Sequence, residues 1–504
     1  APSCSDSMLD FSPTDSGSGK ELLKSASTAI TSVNGVYRSM WTAGWSTTAN
    51  THQCFGIAAY NLALDCMADD LIMQSQGNGW FWGDHCYNVK SNYTSSAFRS
   101  YDVWYANYKW IANVNYIIDA EPEMAGTEAD VAYVAGQAYA IRALCYLNLA
   151  TWFSRAPYNS LTGASRWNEP CVPVYTTGTS IDTGGQPRES LRTVYGRIDQ
   201  DIDRAIELLE KARETTLAEN NKSHINLYVA LGIKSRACLA EGDWDGAFKA
   251  AKRVIDEGGY AVGTKSDLTS GMNSLDKQNV MWGAGIQVAD QAGGYAGFFT
   301  HMDNKEGAYA KSAPKLISKQ LYNRISATDI RRDWWDPSDK ESPYVSKKFS
   351  FANVASFLGD YIYMRVEEMY FTAAEAALRL DDLKSARELM NTVMAERDPG
   401  YSANNRSGTL LGATTTTWTG SFLENILTHR RIELWGEYGR LFDVRRLGQG
   451  IDRRTDDGFS EECISMMNRR NVNITKADTY DWVLTIPKAE LDANPNINEE
   501  DQNP

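Results

Sequence analysis

Two stretches of the sequence share one layout: ACLAEGDWDGAFKAAKRVIDEG at residues 237–258 and AALRLDDLKSARELMNTVMAER at residues 376–397. Each has an Ala-rich helical pattern, a short turn of Gly or Asp residues, and a second pattern with apolar residues three and four apart. Corresponding positions lie 139 residues apart and pair Leu239 with Leu378, Trp244 with Leu383 and Ala247 with Ala386. Tetratricopeptide repeats are helical hairpins of this kind, about 34 residues long, which bury their apolar faces by stacking on one another. The pair therefore predicts a stacked helical scaffold.

Helical patterns elsewhere in the chain extend this scaffold. Residues 129–153 are apolar nearly all round, which predicts a buried helix that ends before Pro157. Residues 193–214 have apolar positions three and four apart with charges between them, which predicts an amphipathic helix that faces a core. The stretches 129–213 and 420–448 thus supply two further helix pairs.

Strand signals are few, and the best short candidates are residues 279–288 and 344–351. Between the helix pairs lie long segments rich in Pro, Gly, Ser and Thr, where binding sites are often found. We therefore expect a mainly α-helical protein: a tetratricopeptide-like scaffold of about four helical hairpins, with long loop-rich insertions and a few short strands.

The stretch RRIELWGEYGRLFDVRRLG, residues 430–448, combines arginines and carboxylates at helical spacing. Opposite charges three or four residues apart can pair along a helix, and ion-pair networks are common in scaffolds. We expect these charges to hold neighbouring helices together rather than to catalyse a reaction.

Charge and composition exclude several classes of function. The chain has 64 acidic residues against 50 Lys and Arg, a formal net charge of −14. A nucleic-acid partner is not expected, because binding a polyanion requires basic patches that displace its counterions. No apolar run approaches the roughly 20 residues of a membrane-spanning helix. The sequence also lacks a His-Glu-x-x-His, a G-x-S-x-G and a Walker A motif, although a glycan hydrolase that uses two carboxylates stays open as a less favoured alternative.

The eight cysteines include no CxxC pair and no metal-ligand spacing, so neither a zinc site nor a thioredoxin-type motif is expected. Cys54, Cys66 and Cys86 lie in one aromatic-rich region, and a disulfide among them stays open. No cofactor is expected. Calcium binding by loops rich in Asp and Asn also stays open, without an EF-hand pattern to support it.

Aromatic residues in glycine-flanked loops are the best candidates for a binding site. The chain has 15 Trp and 26 Tyr residues. In GNGWFWGDHCYN, residues 77–88, and in QAGGYAGFFTHMDN, residues 291–304, rings lie beside polar side chains, a combination that suits a ligand with apolar faces and hydroxyl edges. The predicted ligand-binding residues are Trp80, Trp82, Asn78, Asp84, Tyr295 and Phe298.

The alternative for these rings is that they anchor the loops to the scaffold, and the sequence leaves both readings open. Anchoring is favoured for Trp334 and Trp335. The rings of residues 101–118 recur at helical spacing, which predicts that they belong to the core.

The N-terminal stretch APSCSDSMLDFSPTDSGSGK places Cys4 ahead of a polar tether of small residues. A mature bacterial lipoprotein begins in this way once its signal peptide has been removed before the cysteine. The alternative is a free thiol in a frayed terminus.

Five segments together resemble the SusD/RagB family of lipid-anchored nutrient-binding proteins on the surface of Bacteroidetes-type bacteria. In chain order they are CSDSMLDFSPTD, AYAIRALCYLNLATWFSRAPY, YMRVEEMYFTAAEAALRL, RRIELWGEYGRLFDVRRLG and LTIPKAELDANPNINEEDQNP. The resemblance implies four tetratricopeptide-like units, binding of an oligosaccharide or, in some members, of peptide, and no catalytic activity. It also implies a SusC-like TonB-dependent transporter as partner, and lipidation at Cys4 that anchors the protein to the outer membrane at the cell surface.

These implications give the chain an expected organisation. Residues 1–20 form the lipoprotein N-terminus and tether, and residues 21–504 form a single SusD-like unit. Within that unit we expect the scaffold at approximately 21–75, 100–255 and 360–450, and the insertion-built binding part at approximately 76–99, 258–355, 398–420 and 450–504.

Overall fold

The computed structural model of the chain describes residues 17–42, 50–88, 98–180, 182–287, 296–477 and 479–504. About half of the chain is helical and strands are few and short, which confirms the predicted fold class. In the described residues the α-helices are α1 Gly17–Leu22, α2 Ala26–Ser39, α3 Ile57–Met67, α4 Trp82–His85, α5 Phe98–Ala120, α6 Glu128–Phe153, α7 Leu191–Lys211, α8 Leu227–Glu241, α9 Trp244–Glu257, α10 Lys265–Leu268, α11 Phe298–Met302, α12 Ala308–Ser312, α13 Lys319–Tyr322, α14 Val366–Arg379, α15 Leu383–Ala395, α16 Phe422–Glu433, α17 Arg440–Leu447, α18 Glu461–Arg469 and α19 Lys488–Ala493.

The scaffold is a run of helices that pack on their neighbours in the chain. Helix α5 packs on α6, α6 on α7, α7 on α8, and α8 on α9. Helix α9 then packs across on α14, which pairs with α15 and with α16. The two hairpins that the sequence predicted as copies are therefore neighbours in space, as stacked repeats are.

The likeness of these two hairpins extends to their turns. Gly242 ends α8 with a φ of +73°, and Asp381, at the corresponding position before α15, has a φ of +62°. One residue later, the side chain of Asp243 accepts a hydrogen bond from the backbone N–H of Gly246, and Asp382 accepts one from Ser385. These are helix N-caps, which satisfy backbone donors that a first helical turn leaves without a partner.

Six short strands complete the fold: β1 Leu71–Met73, β2 Val280–Ala284, β3 Lys315–Ile317, β4 Trp335–Asp336, β5 Val345–Ser346 and β6 Tyr361–Arg365. Antiparallel pairing gives one sheet with strand order β1-β3-β5-β4, while β2 pairs with β6. The strand predicted at 279–288 is present as β2. The one predicted at 344–351 is reduced to β5, because Tyr344 turns the chain with a φ of +71° and the N–H of Ser350 bonds to Gly271 instead of to a strand.

The arginine-rich stretch is part of the framework, as predicted. Glu433, at the end of α16, accepts hydrogen bonds from Arg331, Arg365 and Arg397, all of which are fully buried. A second buried group joins α17 to α14, where Arg446 bonds to the carboxylate of Glu375 at 2.9 and 2.8 Å. Buried charges are tolerated only when each has a partner, so these pairs fix how the helices meet.

Scaffold and insertions share one core, whose apolar residues run from Leu23 to Ile486. Seven of the cysteines lie in the described residues, and all are buried free thiols, so Cys54, Cys66 and Cys86 form no disulfide here. Within the described part of the chain, no helix combines the length and the apolar character that crossing a membrane requires. Cys4 lies outside the described residues.

Candidate ligand-binding site

Asp84 lies in the interior, contrary to the expectation that it sits beside an exposed ring. It is buried in α4, and its carboxylate accepts two hydrogen bonds from Arg99 of α5, at 2.7 and 2.9 Å. Both side chains of this ion pair are fully removed from solvent. Asp84 therefore joins two helices, and its oxygens are not available to sugar hydroxyls in this structure.

Trp82 and Phe298 are also buried, so the exposure on which their prediction depended is wrong. Trp82 retains 4% of its exposure. Phe298 retains 9%, and its ring packs edge-on against Phe349 with centroids 5.1 Å apart. Tyr295 lies outside the described residues. Binding of a ligand by any of these residues stays a prediction.

Of the three predicted rings that the structure describes, Trp80 alone is partly exposed. Its indole stacks on the His52 imidazole at 4.9 Å between centroids and 16° between planes. The Tyr309 ring meets Trp80 edge-on at 6.1 Å and His52 edge-on at 5.5 Å. We call Trp80, His52 and Tyr309 the aromatic ledge.

Hydrogen bonds between buried side chains and His52 hold the aromatic ledge in place. The hydroxyl of Tyr309 and Nδ1 of His52 share a hydrogen bond of 2.6 Å, and Nε2 of His301 bonds to the backbone carbonyl of His52 at 2.6 Å. His301 is fully buried under the ledge, between Phe55 and Phe81. Burial, together with the charge of Lys315, lowers the pKa of His301 well below its ordinary value, so its ring is neutral at pH 7.

Asn78 places a polar group on the segment that leads into the ledge. It is exposed, and its Oδ1 accepts a hydrogen bond of 2.8 Å from the hydroxyl of Ser312. Ser312 ends α12, the helix that carries Tyr309. Of the predicted residues, the structure thus brings Trp80 and Asn78 to one surface, where the partly exposed His52 and the buried Tyr309 pack against Trp80.

Trp334 and Trp335 anchor their loop, as the sequence favoured. Each retains 2% exposure. Nε1 of Trp334 donates to the carbonyl of Leu268 at 2.8 Å, and Trp335 packs edge-on against Trp435 of the scaffold at 5.6 Å.

A second concave feature lies where the sequence predicted only core. Helix α5 is buried on one side, but Tyr105, Tyr108, Lys109 and Tyr116 are partly exposed along the other. Together with Tyr175 of the loop between α6 and α7, the three tyrosines line a groove of 510 Å³, which we call the tyrosine groove. Helical spacing correctly placed Tyr105, Tyr108 and Tyr116 on a helix, and their separations of three and eight residues mark a shared face. The spacing does not reveal that this face is left open.

No site for a metal is evident in the part of the chain that the structure describes, since no three His, Cys, Asp or Glu side chains there are grouped closely enough to hold an ion.

Two sequence profiles match the chain. The profile of the SusD family matches residues 309–504, and the profile described as starch-binding associating with outer membrane matches residues 29–239. No curated protein matches.

Solved structures are similar along nearly the whole chain. A SusD-like carbohydrate binding protein from Bacteroides vulgatus is 25% identical with a TM-score of 0.75, and the match covers 95% of this chain and 98% of that one. A SusD superfamily protein from Bacteroides thetaiotaomicron is 22% identical with a TM-score of 0.75, covering 95% and 100%. A laminarin binding SusD-like protein is 18% identical with a TM-score of 0.65, covering 95% and 99%.

The two profiles together cover most of the chain, and the solved structures match its helical fold over 95% of its length. The chain belongs to the SusD/RagB family.

Proposed function

We propose that this protein captures glycans at the cell surface and delivers them to a SusC-like TonB-dependent transporter in the outer membrane. In this proposal it is a lipoprotein anchored through Cys4, it needs no cofactor, and it binds without catalysing a reaction. The observation that carries the proposal is the aromatic ledge, a partly exposed indole fixed on a rigid second layer of rings. Family membership and the wording of the starch-binding profile support the ligand class.

The ledge suits the chemistry of a sugar. One face of a pyranose ring is lined by C–H groups that pack on an aromatic face, while its hydroxyls need hydrogen-bond partners at the edge. Trp80 supplies the aromatic face that packs on the sugar, and Asn78 and Ser312 supply hydrogen-bonding groups for the hydroxyls at its edge. Because hydrogen bonds from Tyr309 and His301 to His52 already fix the ledge, little side-chain entropy is lost on binding. A single small contact of this kind gives modest affinity, which suits a protein that must release its ligand to a transporter.

Isothermal titration with laminarin oligosaccharides and starch-derived maltooligosaccharides tests the ligand class. Replacing Trp80→Ala should weaken glycan binding about tenfold or more, equivalent to about 1.4 kcal/mol. Trp244→Ala is a matched control, because that indole is also partly exposed but is the first residue of α9 in the scaffold. Unchanged affinity in a folded Trp80→Ala variant would show that the ledge is not the site.

The same titration separates the alternatives. Binding of a peptide pool in place of every glycan would identify a peptide-binding member of the family. Release of shortened products from the oligosaccharides would overturn the non-catalytic assignment in favour of a glycan hydrolase.

Delivery is tested with the full lipoprotein. When it is co-expressed with a SusC-like transporter, the two should co-purify from outer membranes, and Cys4→Ala should release the protein from the membrane. Membrane retention of the Cys4→Ala variant in cells that lack the transporter would contradict the lipid anchor.

A further inference from the structure

We propose that the tyrosine groove is a second binding site, specific for neutral oligosaccharides. Its ligand class rests on the proposed function, but its location and geometry do not. It is built from α5, from the loop strap of residues 172–180 and 182–187, and from Glu490 of α19, and it shares no residue with the aromatic ledge.

The walls of the groove are formed before any ligand arrives. The hydroxyl of Tyr108 donates to the carbonyl of Pro173 at 2.6 Å, and that of Tyr116 donates to the carbonyl of Thr179. The hydroxyl of Tyr175 accepts from the N–H of Gln186 at 2.9 Å. Three rings are thus tied to the backbone of one strap, so ordering them adds little to the entropic cost of binding.

The strap is itself fixed to the scaffold. Nδ2 of Asn115 donates to the carbonyls of Tyr175 and Thr177 at 3.2 and 3.1 Å, and Oδ1 of Asn115 accepts from Arg142 at 2.8 Å. Arg142 pairs in turn with Asp201 of α7 at 2.7 Å. Helices α5, α6 and α7 therefore all hold the strap in place, and the groove keeps its shape.

The size and lining of the groove fit a short oligosaccharide. Its volume of 510 Å³ lies within the range of roughly 300–1,000 Å³ that is typical of small-molecule sites. The ring of Tyr105, which stacks on Tyr101 at 5.6 Å and 9°, offers a flat wall. Ser180 and Thr183 also line the groove, and their side chains carry hydroxyl groups, which can partner sugar hydroxyls.

The charges at the groove favour a neutral ligand. Lys109 and Glu490 line it together, so its formal charge is balanced. Glu490 lies close enough to Tyr108 and Tyr175 that its negative charge adds to burial in raising the pKa of both phenols, which stay protonated. An acidic or phosphorylated sugar would meet one cation, one anion and a chain of net charge −14. A neutral glycan is not repelled by Glu490 or by the net negative charge of the chain.

Two weak sites on one rigid chain bind a long glycan more tightly than either does alone. A glycan held at one site reaches the other at high effective concentration, provided that it spans the distance. A second site would therefore favour polymeric ligands over short ones.

Four forms of the full chain test the proposal: wild type, Ala112→Trp, Trp80→Ala and the double variant. Ala112 is a small, partly exposed residue of α5 that lines the groove, so an indole there fills it. Lys249→Trp adds an indole to the exposed side of α9 as the matched control. Each form is titrated with short and long laminarin and starch-derived oligosaccharides, and its fold is checked by circular dichroism.

We expect two short oligosaccharides per wild-type chain, one in each single variant and none in the double variant. We also expect Ala112→Trp to weaken binding of the long glycan about tenfold or more. Tyr105→Ala removes a wall without filling the groove and should give the same loss, which guards against a misfolded Ala112→Trp.

Other outcomes separate the two proposals. If Ala112→Trp and Tyr105→Ala bind as wild type does while Trp80→Ala loses all binding, the groove is not a site and the ledge stands. If Ala112→Trp alone abolishes binding, the groove stands and the ledge fails. If the wild type binds no glycan, both proposals are overturned.

Discussion

The carboxylate of Glu433 faces three buried arginines. Its carboxylate accepts from Arg331 and Arg365 at 3.0 Å and from Arg397 at 2.7 Å. Burial acts to raise the pKa of Glu433, but the guanidinium groups of Arg397 and Arg365 outweigh it and hold the pKa well below its ordinary value. The group is therefore ionised in the folded protein, and its stabilising contribution is lost only when the pH falls through that lowered pKa.

Replacing Glu433→Gln should destabilise the protein strongly. The amide keeps the shape of the side chain but removes the negative charge that faces three buried cations. Removing one partner of a buried charge pair costs about 3–5 kcal/mol, which urea unfolding would measure. Glu388→Gln is the control, because Glu388 is exposed and lies 3.9 Å from the exposed Lys384, so its change should stay below about 1 kcal/mol. Equal effects of the two substitutions would contradict a structural role for the network.

His429 should make stability depend on pH near neutrality. Nη2 of Arg331 lies 2.8 Å from Nδ1 of His429, and burial together with Arg331 and Arg406 lowers the pKa of this imidazole well below its ordinary value, against smaller opposing effects of Asp398 and Glu433. The unfolded chain therefore binds a proton at about pH 6.5 that the folded protein does not, so stability falls as the pH falls below 6.5.

The variant His429→Gln has no imidazole at this position, so its unfolded chain does not take up this proton. Between pH 6 and pH 5, its free energy of unfolding should fall less steeply than that of the wild type, by about 1.4 kcal/mol per pH unit. Urea titrations at a series of pH values give both slopes. His301, which is also buried with a lowered pKa, contributes equally to both proteins and cancels in the comparison. Parallel curves would show that His429 does not titrate in this way.

At the scale of elements, the helix caps repeat between the two hairpins and should contribute equally. Asp243→Ala and Asp382→Ala each remove a side chain that accepts from a backbone N–H in the first turn, at 2.9 and 3.0 Å. Each should cost about 1 kcal/mol in chemical denaturation, the usual value for an N-cap. Lys384→Ala, in the same first turn but 84% exposed, should change stability little. A loss at one hairpin only would mean that the turns differ in energy despite their shared geometry.

The helices could be predicted from the sequence because their apolar periodicity is long and regular. The spacing of 139 residues even placed the turns correctly, since Asp243 and Asp382 cap the helices in the same way. The short strands were less predictable. A strand of two residues such as β5 is too short to show an alternating pattern, and it forms through its pairing with β3 and β4.

The candidate site could be predicted only in part. The aromatic composition of residues 77–88 pointed to Trp80, but it could not distinguish Trp80 from Trp82. The chain turns sharply between them, with a φ of +63° at Phe81, so the first indole reaches the surface and the second enters the core. His52 and Tyr309 could not be assigned, because they lie 257 positions apart and meet only through tertiary packing. Likewise, the face of α5 that stays exposed is set by where the strap of residues 172–180 and 182–187 crosses the helix. The spacing of residues within α5 does not reveal this.

At the scale of the whole molecule, the insertions are packed into the scaffold rather than attached to its surface. Trp335 of β4 contacts Trp435, which follows α16, and Nε1 of Trp435 donates to the carbonyl of Asp70 at 2.8 Å. Phe349 adds a stacked contact to Trp435 at 6.4 Å. Insertion and scaffold therefore bury part of the same core.

A shared core should unfold as a unit. In urea, tryptophan fluorescence and far-ultraviolet circular dichroism, which reports mainly on the scaffold helices, should give one common midpoint. Trp335→Ala should then shift both midpoints together by the same free energy, about 3–5 kcal/mol, because it opens a cavity between insertion and scaffold. Trp418→Ala serves as the control, since that indole is only half-buried and lies outside this contact. If Trp335→Ala shifted the fluorescence midpoint and left the circular dichroism midpoint in place, the insertions would be an independently unfolding layer, and a ligand bound at the ledge could be released by local opening while the scaffold stayed folded.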